Sequence, residues 1–402
     1  MSGPLMPRRW PVAGLALLLA GGAAFAHRAL SDPSFFPAID FVEYWAAGRL
    51  NADGGDPYDP EQLGPLQRAA SPRHAQKPIM MWNPPWALPL VTPVGLLPSR
   101  EAQLAWFFLH LALVLACCDL LWRMYGGAER LRPAAWVLAL TFAPTVYLLK
   151  FGQISGLMLL GLTGFLACVR RGRFLLAGAF GSLTALKPHL FPFFALALVF
   201  EGVGTRRGAK VLLGGALALA ALTAAELLIN PDAFAQYLRA LDRPATPDHV
   251  PLSLWEHPTL GYWLRVAVPG RPFWVQFVPC ALGVVAFVPY YLRRRAGWDW
   301  TAELPRLLLA SLLLAPYGAW PFDLTVLLVP VIQAAVWLSA AADRRRLWAA
   351  AAVYLLLSWL ALQPTGSAKY YFWVTPAVLT GWLVARERAA LARPPSPAAP
   401  GW

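Results

Sequence analysis

The chain has 402 residues, 58% of them hydrophobic and only 14% charged, with a formal net charge of +13. Soluble domains carry about 25% charged residues, so this composition excludes an ordinary soluble enzyme and indicates a membrane protein. The four cysteines all lie in apolar runs and show neither a metal-ligand spacing nor a disulfide framework.

The first apolar run, residues 11–30, is long enough to cross a bilayer. Arg8, Arg9 and Ala24-Phe25-Ala26 also mimic a cleavable signal peptide, but the run is long for a signal and many more follow. Either way, the next segment, Ile39-Asp40-Phe41-Val42-Glu43-Tyr44-Trp45, emerges at a membrane–water boundary. Asp40 and Glu43, three apart, share one face of a helix, with Phe41, Tyr44 and Trp45 around them. Two readings stand: acids that simply face water, or an acid–base group beside lipid. The aromatics suit a sugar ring and an isoprenoid chain equally.

An outer loop at about 31–80 follows and holds Asp53, Asp56, Asp59 and Glu61. These acids lack a recognisable ion-binding spacing, leaving at most a weak cation site, so no metal and no cofactor is expected. Residues 81–98 are apolar but carry Pro84, Pro85, Pro89, Pro93 and Pro98. Proline breaks helices, so this stretch reads as a re-entrant or interfacial hairpin. Further spans are expected near 102–122, 134–149, 154–169, 174–186, 187–200, 211–229, 273–292, 306–316, 322–341, 347–362 and 370–385, with a second long outer loop at about 230–272. The expected fold is an all-α polytopic bundle of about 11–13 transmembrane helices. Residues 1–390 form one integral membrane domain and 391–402 a disordered tail. No internal repeat is visible.

Charge placement gives the sidedness. Basic clusters such as Arg170-Arg171-Gly172-Arg173 and Asp343-Arg344-Arg345-Arg346 fall on alternate turns, while the acids gather in the other loops. Positive charge favours the cytoplasmic side, so the acid-bearing loops lie outside. The excess of base is thereby explained without a nucleic-acid partner.

Four more places could carry chemistry. Trp82-Asn83-Pro84-Pro85-Trp86 is either an aromatic anchor at headgroup level or the wall of a lipid-facing groove. Gly152-Gln153-Ile154-Ser155-Gly156 opens a span, for close helix packing or for anion binding. Lys187-Pro188-His189 interrupts an apolar stretch; Lys187 either snorkels to headgroups or, with His189, holds a phosphate. Asp323, after Ala315-Pro316-Tyr317-Gly318-Ala319-Trp320-Pro321-Phe322, is either a first-turn acid or part of a site. His257 and Lys369-Tyr370-Tyr371 fall on the same outer side and read as interface residues.

Taken in order, Asp-Phe-x-x-Tyr-Trp-Ala-Ala-Gly at 40–48, Asp-Pro-Tyr-Asp at 56–59, Asn-Pro-Pro at 83–85, Gly-Gln-Ile-Ser-Gly at 152–156, Lys-Pro at 187–188 and Ala-Pro-Tyr with Phe-Asp-Leu at 315–324 resemble glycosyltransferase family 87. The ordered set spans roughly residues 10–385. The resemblance implies a GT-C-class membrane enzyme that takes a hexose, typically mannose, from a polyprenyl-phosphate donor to a lipid-linked or glycan acceptor. It implies inversion at the anomeric carbon, with Asp40 as general base and Lys187 with His189 at the leaving phosphate. Glu43, Tyr44, Asn83, Gln153, Tyr317 and Asp323 are the further expected substrate-binding residues. The chain departs from the family at Ala315-Pro316, where relatives usually carry Ser-Pro, and at Trp320-Pro321, near which some carry a His. The implied setting is a bacterial inner membrane, with the site on its extracytoplasmic side and membrane lipids as neighbours. A transporter or flippase for a lipid-linked sugar is the main alternative. It would place ionisable or Gly/Pro-broken positions mid-span in matched halves, whereas here they collect at one face.

Overall fold

The computed structural model describes residues 9–32, 34–71, 77–245, 250–341 and 343–391; the expected tail lies outside these apart from Leu391. Every regular element among the described residues is helical. The chain is a polytopic membrane bundle, and its outward faces say the same as its composition. Val203 is 85% exposed, Leu228 87% and Val285 70%. Such side chains, repeated along several helices, need lipid around them.

Among the described residues, four helices are long and apolar enough to cross a membrane: Ser99–Met124, Arg206–Ile229, Phe273–Gly297 and Asp323–Ala341. A fifth arises if Glu129–Thr141 and Ala143–Phe151, bent by 58° at Phe142, are one span. Pro144 explains the bend, since its ring cannot be accommodated in a continuous helix. Ser155–Arg170, Phe174–Leu186 and Pro192–Gly204 are apolar but shorter. The helical segments follow the chain order expected from the apolar runs, yet several are broken by 3₁₀ turns, such as Ser182–Leu186 and Pro188–Leu190. These breaks put irregular backbone at the site.

On one end of the bundle lies a layer of short helices, Phe41–Ala52, Pro60–Ala70 and Leu88–Gly95. The eight-residue Leu88–Gly95 rises only about 12 Å, against about 30 Å of hydrocarbon, so the proline-rich segment does not cross. It turns back at Pro98 into the long helix Ser99–Met124. Phe41–Ala52 packs on it at backbone distance. A methyl at Gly48 would stand 2.4 Å from the Val91 carbonyl oxygen, and one at Gly95 would stand 2.2 Å from the Arg49 nitrogen. Trp45 adds a hydrogen bond from Nε1 to the Leu97 carbonyl at 3.0 Å. The far end of the same helix is clamped by Asn51, whose Nδ2 donates to Thr92 Oγ1 (3.0 Å) and Glu226 Oε2 (3.1 Å). Asn230 Nδ2 in turn donates to Asn51 Oδ1 at 3.1 Å.

The arginine-bearing turns are tied locally. Asp119 pairs with Arg123 and Arg132, and Glu303 with Arg294, Arg306 and the Tyr290 hydroxyl. The alternate turns, near 152–154, 186–191, 314–322 and 362–368, converge on a cavity.

Candidate active site

The cavity holds about 1020 Å³, at the upper end of the roughly 300–1,000 Å³ of small-molecule sites. Asp40, Glu43, Asn83, Gln153, Lys187, His189, Tyr317 and Asp323, drawn from distant parts of the chain, all line it. Around them stand Phe151, Phe322, Trp82, Trp255 and Trp320.

Asp40 is the N-cap residue of Phe41–Ala52, where an aspartate side chain ordinarily accepts a backbone N–H of the first turn. Here it makes no cap bond. Its Oδ2 instead accepts from Gln153 Nε2 at 2.8 Å, and the residue is half-buried at the cavity wall. The loop before it is fixed by Arg100, whose Nη1 donates to the Phe36 carbonyl at 2.8 Å. Gly152 makes the pairing with Gln153 possible. Its φ is +72°, and a methyl there would sit 2.7 Å from Phe41 Cβ, so a side chain would be both strained and obstructed. Trp106 Nε1 holds the Gly152 carbonyl at 2.8 Å.

Gln153 is the centre of the polar network. Its Oε1 accepts from Tyr44 Oη at 2.7 Å and from Lys187 Nζ at 3.2 Å. Two donors on the carbonyl side fix the orientation of the amide, and its Nε2 therefore points at Asp40. Lys187 Nζ also meets Asp323 Oδ1 at 2.8 Å, with the Lys187 side chain 13% and the Asp323 side chain 0% exposed. Ser155 Oγ donates to the same oxygen at 2.9 Å, and the Trp320 N–H reaches Asp323 Oδ2 at 3.2 Å. Asp323 is thus a fully bonded buried carboxylate, as a charge away from water requires. Lys187 also lies 5.0 Å from the Phe322 ring centroid, within cation–π range.

Glu43 faces the same cavity but is buried. Loss of water pushes its carboxyl up to about 8; the Lys187 charge opposes that shift and the Asp40 charge adds to it. Burial therefore favours the protonated form of Glu43.

Lys187 is set in place from behind by the proline-rich segment. Asn83 Nδ2 donates to the Leu186 carbonyl at 2.9 Å, and Trp86 Nε1 to the Ala185 carbonyl at 2.9 Å. Next to it lies the turn at 315–320, whose geometry is unusual. Gly318 has φ +70° and Ala319 +55°, a region costly for a residue with a Cβ. A methyl at Gly318 would come within 2.5 Å of His189 Nε2. The Gly318 N–H is held by His257 Nδ1 at 3.1 Å, and His189 stacks on Tyr317 at 4.2 Å between ring centroids.

Residues 82–316, more than half of the chain, match the family model of glycosyltransferase family 87. The chain belongs to glycosyltransferase family 87. It is accordingly a membrane glycosyltransferase, which uses a sugar donor and an acceptor. No curated protein and no solved structure matches the chain. The matched segment of the glycosyltransferase contains Asn83, Gln153, Lys187 and His189; Asp40, Glu43 and Asp323 flank it and reach the same cavity through the fold.

Eight of the nine residues singled out in the sequence thus share the cavity wall. Tyr44 does not: it is completely buried behind Gln153, so its contact is with that amide. Asn83 lines the cavity with its side-chain amide committed to Leu186. Of the acids considered as a weak cation site, Asp56 faces Arg239 of the helix Ala233–Asp242, Asp59 faces Arg243 just past its end, and Asp59 also caps Pro60–Ala70. Sequence reasoning did not single out Ser155 as a site residue, although it lies inside the Gly-Gln-Ile-Ser-Gly string. It also missed Glu226, an acid inside an apolar run, which is the available sign of a buried polar clamp. Lys77 and Glu256 on the cavity wall gave no signal beyond lying in polar loops.

Proposed function

We propose that this glycosyltransferase moves a hexose, with mannose as the sugar the family resemblance implies, from a polyprenyl-phosphate donor to a lipid-linked or glycan acceptor. The setting is the outer face of a bacterial inner membrane, and the mechanism is inverting, with Asp40 as general base. The observation that carries this reading is the Asp40–Gln153–Lys187 chain on the wall of one large cavity.

The chemistry divides between its two ends. An acceptor hydroxyl gives its proton to Asp40 as its oxygen forms a bond to the anomeric carbon. The bond from that carbon to the phosphate oxygen breaks on the opposite face, and the polyprenyl phosphate leaves with the electron pair. Asp40 suits the first role because its Oδ2 is held by a neutral amide and the residue keeps access to the cavity. Geometry of this kind is the first requirement for a general base. Lys187 suits the second. An ammonium has three donors; Gln153 and Asp323 use two, leaving one for a phosphate oxygen. Developing charge on a leaving group is stabilised most where the cation is already positioned and water is excluded. The aromatic and aliphatic walls leave room for the first isoprene units. A donor carried in the membrane also needs no nucleotide-binding element.

The test is reconstitution in proteoliposomes with polyprenyl-phosphate hexoses and cell-envelope lipid extract, with product masses read by mass spectrometry. Gain of one hexose by an acceptor, dependent on the lipid-phosphate donor, is expected. Transport of labelled donor across the vesicle membrane without any product would overturn the reading.

A further inference from the structure

The end of the bundle opposite the cavity carries a group of cations that the proposed transfer does not use. Arg171 and Arg173 stand in the turn before the helix Phe174–Gly181, and Arg206, Arg207 and Lys210 in the first turns of Arg206–Ile229. All five are exposed. The two helices run side by side at backbone distance. A methyl at Gly178 would stand 1.9 Å from the Val211 carbonyl oxygen, and one at Gly214 would stand 1.9 Å from that of Leu175. Their starts therefore lie together, and Arg207 bridges them, with its Cζ 5.9 Å from the Phe174 ring centroid. Gly172, at φ +70°, turns the chain so that the Arg173 N–H reaches the Cys168 carbonyl at 2.9 Å. Thr205 caps the second helix by accepting the Gly208 N–H at 2.9 Å.

These five charges are unmatched within the chain. At other basic turns Asp119 pairs with Arg123 and Arg132, Glu303 with Arg294 and Arg306, and Asp343 with Arg346. No acid stands in the first turn of Phe174–Gly181 or of Arg206–Ile229. Among the described residues, none of the five is in an ion pair. Glu201, in the turn before the second helix, accepts from Tyr291 Oη at 2.7 Å. Cations at a helix start also oppose the macrodipole, so the cluster calls for an anion from outside the chain.

What lies beside the cations identifies that anion. Arg206, Lys210, Leu213 and Leu217 follow one another at steps of three or four and form one stripe of the helix. Leu213 is 53% and Leu217 58% exposed, and Leu175 and Leu176 on the neighbouring helix are exposed as well. A soluble phosphate would meet the charges and leave the leucines bare. A phospholipid meets both, with its headgroup on the cations and its acyl chains along the apolar continuation of the stripe. The cations also form two groups, one at each helix start. One phosphate would leave a group without a partner, whereas two phosphates in one headgroup match both.

We infer that the adjoining starts of Phe174–Gly181 and Arg206–Ile229 form a binding site for a membrane phospholipid that carries two phosphates. The site stands apart from the cavity, so its lipid is a bound neighbour of the transferase and not its donor.

The experiment titrates the full chain, stripped of lipid in detergent, with cardiolipin, phosphatidylglycerol, phosphatidylcholine and inorganic phosphate. Native mass spectrometry reads bound lipid, and thermal unfolding reads stability. One cardiolipin should bind per chain and raise the unfolding temperature. Phosphatidylglycerol should bind about tenfold more weakly, and phosphatidylcholine and inorganic phosphate should leave the unfolding temperature unchanged. Arg206→Gln with Arg207→Gln should weaken cardiolipin binding about 10- to 30-fold, the scale of two headgroup-level cations, and Lys210→Gln should weaken it severalfold by itself. Arg344→Gln with Arg345→Gln removes the same charge from another exposed turn and should bind as the wild type does. Without lipid, all these variants should unfold at the wild-type temperature, which separates loss of binding from loss of fold. Equal loss in the two arginine pairs would reduce the effect to net charge and overturn the site. So would unchanged binding in the Arg206 and Arg207 variant, equal affinity for cardiolipin and phosphatidylglycerol, or stabilisation by inorganic phosphate alone.

Discussion

Asp40 and Lys187 are joined by a single carboxamide, with Gln153 Nε2 2.8 Å from the carboxylate and its Oε1 3.2 Å from the ammonium. One side chain thus holds the proposed base and the proposed phosphate partner in a fixed relation. Tyr44, on the same carbonyl oxygen at 2.7 Å, keeps the amide from turning over.

Removal of that link should affect turnover more than binding. Gln153→Ala is expected to lower kcat about 10- to 100-fold, the scale of a misplaced catalytic group, with KM for donor and acceptor changed far less. Steady-state kinetics with each substrate varied in turn measures the split. A rise in KM with kcat unchanged would make Gln153 a substrate-binding residue instead.

Lys187 and Asp323 form a buried pair, and breaking it from one side should be costly. Asp323→Ala leaves an ammonium without its partner, a change worth about 3–5 kcal/mol when charges are buried. Thermal unfolding in detergent should show the loss. The double variant Lys187→Met, Asp323→Leu should recover stability, because an apolar pair of similar volume needs no compensation. Donor affinity should be low in the double variant, which lacks the ammonium. A double variant that binds donor normally would remove Lys187 from the site.

Glu43 makes stability depend on pH. Its carboxyl rises from an ordinary 4.5 to about 8 in the folded protein, so between these values the folded state holds a proton that the unfolded state has lost. Stability from this group is complete below about 4.5 and is lost as pH rises toward 8, by an amount on the order of a few kcal/mol. Glu43→Gln cannot ionise. Its unfolding temperature should therefore gain on the wild type from pH 5 to pH 8. Parallel curves for the two proteins would mean that Glu43 is ionised in the fold.

Much of this was legible in the sequence, but unevenly. Apolar runs and basic turns gave the membrane class and the order of helices. Five prolines between 84 and 98 gave the segment that does not cross. Helix integrity was less legible, because Phe142 and the 3₁₀ turn at Ser182–Leu186 interrupt runs whose hydropathy is continuous, whereas Lys187-Pro188-His189 marks the break that follows. At the site, the ordered motifs pointed to the residues and not to their connections. Lys187 and Asp323 are 136 positions apart and Asn51 and Glu226 are 175 apart; local periodicity carries no information over such separations. Tyr44 shows the limit well. Its aromatic ring and hydroxyl read as a substrate contact beside Asp40, yet the helix turns it inward, where the hydroxyl orients Gln153.

The most direct measurement is hexose transfer by Asp40→Asn in proteoliposomes supplied with polyprenyl-phosphate donor and acceptor, alongside donor binding by the same preparation. Asparagine is close in shape but cannot accept the proton. The account predicts a fall in kcat of about 10²- to 10⁴-fold, the usual contribution of general acid–base catalysis, with donor binding retained. Transfer at near the wild-type rate would contradict it.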